Sequence, residues 1–165
     1  MKKSGLVICL LALALQPSTV MAAKEHPAAK AVALPKPAPG KGQIVIFRPT
    51  SDGFETKCTV RENRAMIGRV GPKRYYVVEV EPGVHQLTAK TEKTDAVAIV
   101  VEPDEASYVR CGITMGIMVG RPNLSPSTEE EFNKSAAKLK PMEAEKIAAE
   151  IEKDKAELAS KGASN

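Results

Sequence analysis

Tyr75-Tyr76-Val77-Val78-Glu79-Val80-Glu81-Pro82-Gly83-Val84-His85-Gln86-Leu87-Thr88-Ala89 decides the fold class. In its first half Tyr76, Val78 and Val80 share a face, and in its second half His85, Leu87 and Ala89 do. Glu81-Pro82-Gly83 turns the chain back between them. An apolar period of two on either side of a Pro-Gly turn describes half-buried strands rather than a helix. The same texture extends upstream. Ile44 to Phe47 reads as a first strand, ended by Pro49 and Ser51-Asp52-Gly53. Phe54, Thr56, Cys58 and Val60 alternate with charged and polar neighbours, which turns Cys58 inward. Glu62-Asn63-Arg64 then turns into a short Met66-Ile67-Gly68 segment. Downstream, Ala96 to Val101 is continuously apolar and reads as a central strand. Ser107 to Ile113 aligns Val109, Cys111 and Ile113, and Ile117 to Val119 reads as a last strand. Short strands at about ten-residue spacing predict a mainly β protein, an antiparallel Ig-like β-sandwich or barrel over 43–124.

The flanks differ. After Pro126, Ser127 with Glu130 three residues on is a capping-box pattern, predicting a helix from there to about Leu139, before Pro141. Residues 142–160 are rich in Ala, Glu and Lys, with Ile147 and Ile151 four apart. So thin a stripe predicts a weakly docked or solvated helix, and together 127–160 form a helical C-terminal extension. Residues 23–42, with Pro27, Pro35, Pro37 and Pro39, predict an extended linker. At the N-terminus, Lys2 and Lys3 precede an apolar run from Gly5 to Leu15 and then Val20-Met21-Ala22. That order predicts a secretory signal peptide at 1–22, cleaved after Ala22, in a periplasmic or secreted bacterial protein. A retained N-terminal anchor is the alternative, but the run is short of the roughly 20 residues a spanning helix needs. Cys9 lies mid-run, too early for a lipidated cysteine, and counts as one more apolar residue.

Removing the signal leaves 22 basic against 20 acidic residues. No part carries the concentrated positive field that nucleic acid requires, so nucleic acid is not an expected partner. Aromatics are 4% with no Trp, which argues against sugar or base platforms built from stacked rings. Two cysteines remain, Cys58 and Cys111, both on core-facing strand positions. They can form one bridge in an oxidising compartment or stay as two buried thiols.

Groups that do chemistry are sparse. His85 is the one histidine of the folded region; His26 belongs to the linker. A lone His on an apolar strand face reads as a satisfied packing residue, and a catalytic reading would need a nucleophile beside it. No Cys/His spacing fits zinc and no Asp/Asn run fits calcium, so neither a metal nor another cofactor is expected. Arg48 and Arg110 end or sit within strands. If adjacent, they could hold an anion or a partner's carboxylate, the plainer reading being rim ion pairs. In Cys111-Gly112-Ile113-Thr114-Met115-Gly116-Ile117-Met118-Val119-Gly120, glycines recur every fourth residue. This reads as a strand with a glycine-rich turn, or as an apolar loop whose Met115 and Met118 grip a partner.

Gly42-Gln43-Ile44-Val45-Ile46-Phe47-Arg48-Pro49 resembles the opening of the bacterial exported domain-of-unknown-function family 2846. Met66-Ile67-Gly68, Val80-Glu81-Pro82-Gly83-Val84-His85 and Tyr108-Val109-Arg110 resemble its later elements, the turn being shared more loosely with PEGA-type envelope domains. Glu81 stands where that family more often has a second Pro. The resemblance covers about residues 42–140. It implies an exported, PEGA-like β-sandwich, sometimes lipidated, with no established activity and no catalytic residues to carry over. The expectation is a non-catalytic envelope protein that binds or scaffolds another protein, with Arg48, Arg110, Met115 and Met118 as its contact surface. A carbohydrate or peptidoglycan module is the alternative, and a small hydrolase a third. The partner's identity and the oligomeric state are not legible.

Overall fold

Ile44, Val45, Ile46 and Phe47 are apolar on both parities, so the strand they form has no side to present to water. The computed structural model describes residues 32–51, 56–91, 93–117 and 120–162. The expected signal peptide, Cys9, His26, Phe54 and Met118 lie outside the described residues. The elements are β1 (Gly42–Arg48), β2 (Cys58–Glu62), β3 (Ala65–Val70), β4 (Arg74–Val80), β5 (Gly83–Lys90), β6 (Thr94–Val101), β7 (Ala106–Thr114), β8 (Arg121–Ser127), α1 (Glu129–Ala136), β9 (Lys140–Pro141) and α2 (Ala144–Gly162).

Two sheets result, a five-stranded one ordered β8-β7-β1-β4-β9 and a four-stranded one ordered β3-β2-β5-β6. This is the expected β-sandwich with a C-terminal helical extension. Most pairings are antiparallel, while β1 with β7 and β4 with β9 are parallel. The stretch around Glu81-Pro82-Gly83 does not close a hairpin. β4 pairs with β1, and β5 pairs with β2 and β6, so this corner carries the chain from one sheet to the other. Gly83 takes a φ of +141° there, which side-chain-bearing residues rarely adopt. By contrast, Asn63 and Arg64, both at positive φ, close a tight β2–β3 hairpin.

Ile44 and Ile46 of β1, Val60 of β2, Tyr76 of β4, Leu87 of β5 and Val109 of β7 form the core between the sheets. The other face of the five-stranded sheet holds a second core. Val45, Phe47 and Tyr75 are covered there by Phe132, Ala136 and Leu139, with Val32 and Leu34 packed against them. Phe132 lies 5.4 Å from Phe47 and 5.3 Å from Tyr75, ring centre to ring centre, both edge-on. The last part of the expected linker is therefore a piece of the fold.

Several sequence expectations are corrected. Ala96 to Val101 lies in β6, an edge strand rather than a central one, with Val100 58% exposed opposite Val84 at 70%. A continuous apolar run does not distinguish a central strand from an edge whose outward residues are small. The strand that follows β7 is Arg121–Ser127, not Ile117 to Val119: Ile117 lies outside any strand, and Val119 is outside the described residues. Pro122 and Pro126 mask β8 in the sequence, and an edge strand tolerates them because one side needs no donors. The cap of α1 is Thr128, which accepts from Glu131 N, one residue later than the Ser127–Glu130 reading. The helix stops at Ala136, because Leu139 turns into the second core and Lys140–Pro141 pairs with β4.

Cys58 of β2 and Cys111 of β7 meet between the sheets at disulfide distance, with Cα atoms 6.6 Å apart. Converting both to Ala, or reducing them, is expected to lower stability by about 4 kcal/mol in the loop-entropy picture. Melting should then fall by roughly 10–20 °C; identical melts with and without reductant would contradict the bridge. Phe132→Ala should cost about 3–5 kcal/mol in chemical denaturation, because it empties the centre of the second core.

Candidate functional site

Strand alternation separates the two arginines proposed as an anion clamp. Arg110 pairs in register with Phe47, so it shares the outer face of the five-stranded sheet and is exposed. Arg48, one residue on, turns to the opposite face, is completely buried, and donates from Nη1 to the Thr56 carbonyl. A buried guanidinium needs such acceptors, since charge without them is expensive to hide. Arg48 thus anchors the segment that leads into β2. It is not a rim residue, and the pair does not converge.

The glycine-spaced stretch divides between β7 and the loop after it. Gly112 lies within β7, opposite Asn123. Met115 and Ile117 stand 77% and 87% exposed beyond the end of the strand. The Thr91 hydroxyl donates to the Gly120 carbonyl and ties the loop's return to the β5–β6 turn. Arg121 begins β8 opposite Thr114 at the loop's base. An apolar loop is therefore presented at one end of the sandwich, with Met118 outside the described residues.

His85 is hydrogen-bonded at both ring nitrogens. A carbonyl can only accept, so Nε2 donates to Glu81 O at 2.8 Å, and Nδ1 faces Glu62 Oε1 at 2.8 Å. The ring ties the corner after β4 to the end of β2. It shares its strand face with Leu87, but polar contacts hold it rather than the apolar packing alone. Neither nitrogen is left to activate a nucleophile. Among the described residues, no cluster of His, Cys, Asp and Glu could hold a metal ion, and no helix is long and apolar enough to cross a membrane.

Charge patterning missed the way α2 docks. Ile147 packs against the inter-sheet core beside Met142, as its thin stripe allows. Ion pairs add to this attachment. Arg61 of β2 makes a two-pronged pair with Asp154, including Nη1 to Oδ2 at 2.6 Å, and Lys57 reaches Glu150 at 3.3 Å. Hydrogen bonding to Arg61 holds the Asp154 carboxyl below its ordinary value, with Arg69 and Lys161 adding attraction. These partners are 93 residues apart, so no local pattern could pair them.

The chain matches no family model, no curated protein and no solved structure.

A depressed carboxyl stabilises the folded state above its unfolded value of about 3.9, and that contribution is lost as pH falls through the lower folded value. Attachment of α2 should accordingly be intact from neutral pH down to about 4 and loosen below it. Asp154→Asn should loosen it at pH 7 by on the order of 1 kcal/mol. Faster amide exchange confined to 144–162 is the expected readout; unchanged exchange there would show that the ion pair does not hold the helix.

Proposed function

We propose that this chain is an exported, non-catalytic protein-binding module of the bacterial cell envelope. The observation that carries this reading is the β7–β8 loop, where Met115 and Ile117 are the most exposed large apolar side chains among the described residues. Large apolar side chains held outward on an anchored loop suit contact with another protein, and methionine adapts to irregular partners. The commitment of both His85 nitrogens supports the non-catalytic part of the proposal.

Export is supported by the signal-like order of residues 1–22 and by a cysteine pair at bonding distance, which persists as a bridge in an oxidising compartment. Kinship with the exported family named above belongs to the same proposal and rests on its four motifs. The carbohydrate reading is less well supported, because Phe47, Tyr75, Tyr76 and Phe132 are buried where no sugar can stack on them.

A photo-crosslinker at position 115 should capture one envelope protein in living cells. Met115→Asp with Ile117→Asp should abolish co-purification of that protein while leaving the melting temperature within a degree or two, as surface changes do. Undiminished co-purification would remove the loop from consideration. Sedimentation with purified sacculi, equal for the wild type and the double variant, would favour the cell-wall reading instead.

A further inference from the structure

β9 covers only the beginning of the outer edge of β4. Its pairing ends with Met142 N donating to Tyr75 O at 2.8 Å, after which the chain departs into α2. Antiparallel strands aim successive residues alternately at the two sides. Because the Tyr75 carbonyl points away from β1, the N–H and C=O groups of Val77 and Glu79 point away as well. No described residue bonds them.

Beside this open edge lies an apolar groove of about 390 Å³, lined by Pro35 and by Ala144, Ile147, Ala148 and Ile151 of α2. Ala144 and Ala148 offer only methyl groups to this lining. Tyr76 also lines the groove. Its ring lies where a side chain on Gly68 would stand, and its hydroxyl is buried without a partner.

The two ends of the groove differ in charge. At the start of β4 are Arg74, Lys140 opposite it in register, and Lys146, which is paired with Glu143 at 2.8 Å. The first turn of α2 opens there too, adding the positive end of its dipole. At the far end stand Glu79, which accepts from Ala38 N, and Glu81, which is paired with Lys41.

We propose that this groove binds the carboxyl-terminal segment of a partner polypeptide. The segment adds as a strand antiparallel to β4. Its small apolar side chains lie against α2, and its terminal carboxylate lies at the Arg74 and Lys146 end. Main-chain bonds to Val77 and Glu79 supply affinity, and the carboxylate sets direction. An alkyl chain would leave those backbone groups unsatisfied. The site lies at the opposite edge of the five-stranded sheet from the Met115 loop and does not depend on the function proposed for it.

The test uses the full chain and a pool of fluorescein-labelled hexapeptides in which every position is Ala, Val, Leu or Thr, made with a free carboxylate or as the amide. Anisotropy should show saturable binding of the free acids, weakened about tenfold by amidation. Ala148→Leu should fill the groove and block binding without unfolding the protein, and Met115→Asp should leave it unchanged. No saturable binding by the wild type up to about 1 mM would overturn the proposal. So would full binding by the Ala148→Leu variant, equal affinity for acid and amide, or displacement of the peptides by dodecanoate.

Discussion

β1 is buried along its whole length and on both faces, and the rest of the molecule answers that constraint. A strand with water on neither side must be central in its sheet and must have a layer above and below it. The four-stranded sheet supplies one layer. α1, Leu139 and the chain around Val32 and Leu34 supply the other. Phe132 matters out of proportion to its helix, because it is the side chain on which Phe47, Tyr75 and Tyr108 converge. The short helix is thereby held on the sheet by one aromatic contact set rather than by a long apolar stripe.

Three of the strand edges are treated differently, and that difference places the two candidate contact regions. β3 is flanked by α2, which ion pairs from Arg61 and Lys57 help to hold. β8 carries prolines that cannot donate. β4 is capped over two residues and then left open beside the groove. The apolar loop of Met115 and Ile117 projects from the β7–β8 side, away from that groove. The buried Arg48 and the doubly bonded His85 are, by contrast, fasteners of loops and corners.

Much of the strand set was legible because period-two alternation is local: β4, β5 and β7 appear in the sequence close to where they fold. The inward phase of Cys58 and Cys111 followed from the same alternation, while Met115 stood out through the glycine-spaced apolar run that holds it. Elements that evaded the reading did so for specific reasons. Prolines hid β8, and two residues are too few for β9 to leave any period. The Ser127 cap was displaced by one because Thr128-Glu129-Glu130-Glu131 satisfies the same pattern with equal ease.

Residue order alone determined that this chain is mainly β, that its last part is helical, and which residues of the alternating strands β4, β5 and β7 face inward, since those properties depend on neighbours two to four positions apart. Only the tertiary structure decided that the Pro-Gly corner joins two sheets instead of closing a hairpin, and that Arg48 and Arg110 face opposite ways. It alone decided that Asp154 finds Arg61 and that an open strand edge lies beside Tyr76. Those outcomes depend on which strands become neighbours, and strand pairing is settled by the total apolar surface that two sheets and a helix can remove from water, a sum to which no short stretch of sequence contributes enough to reveal the answer.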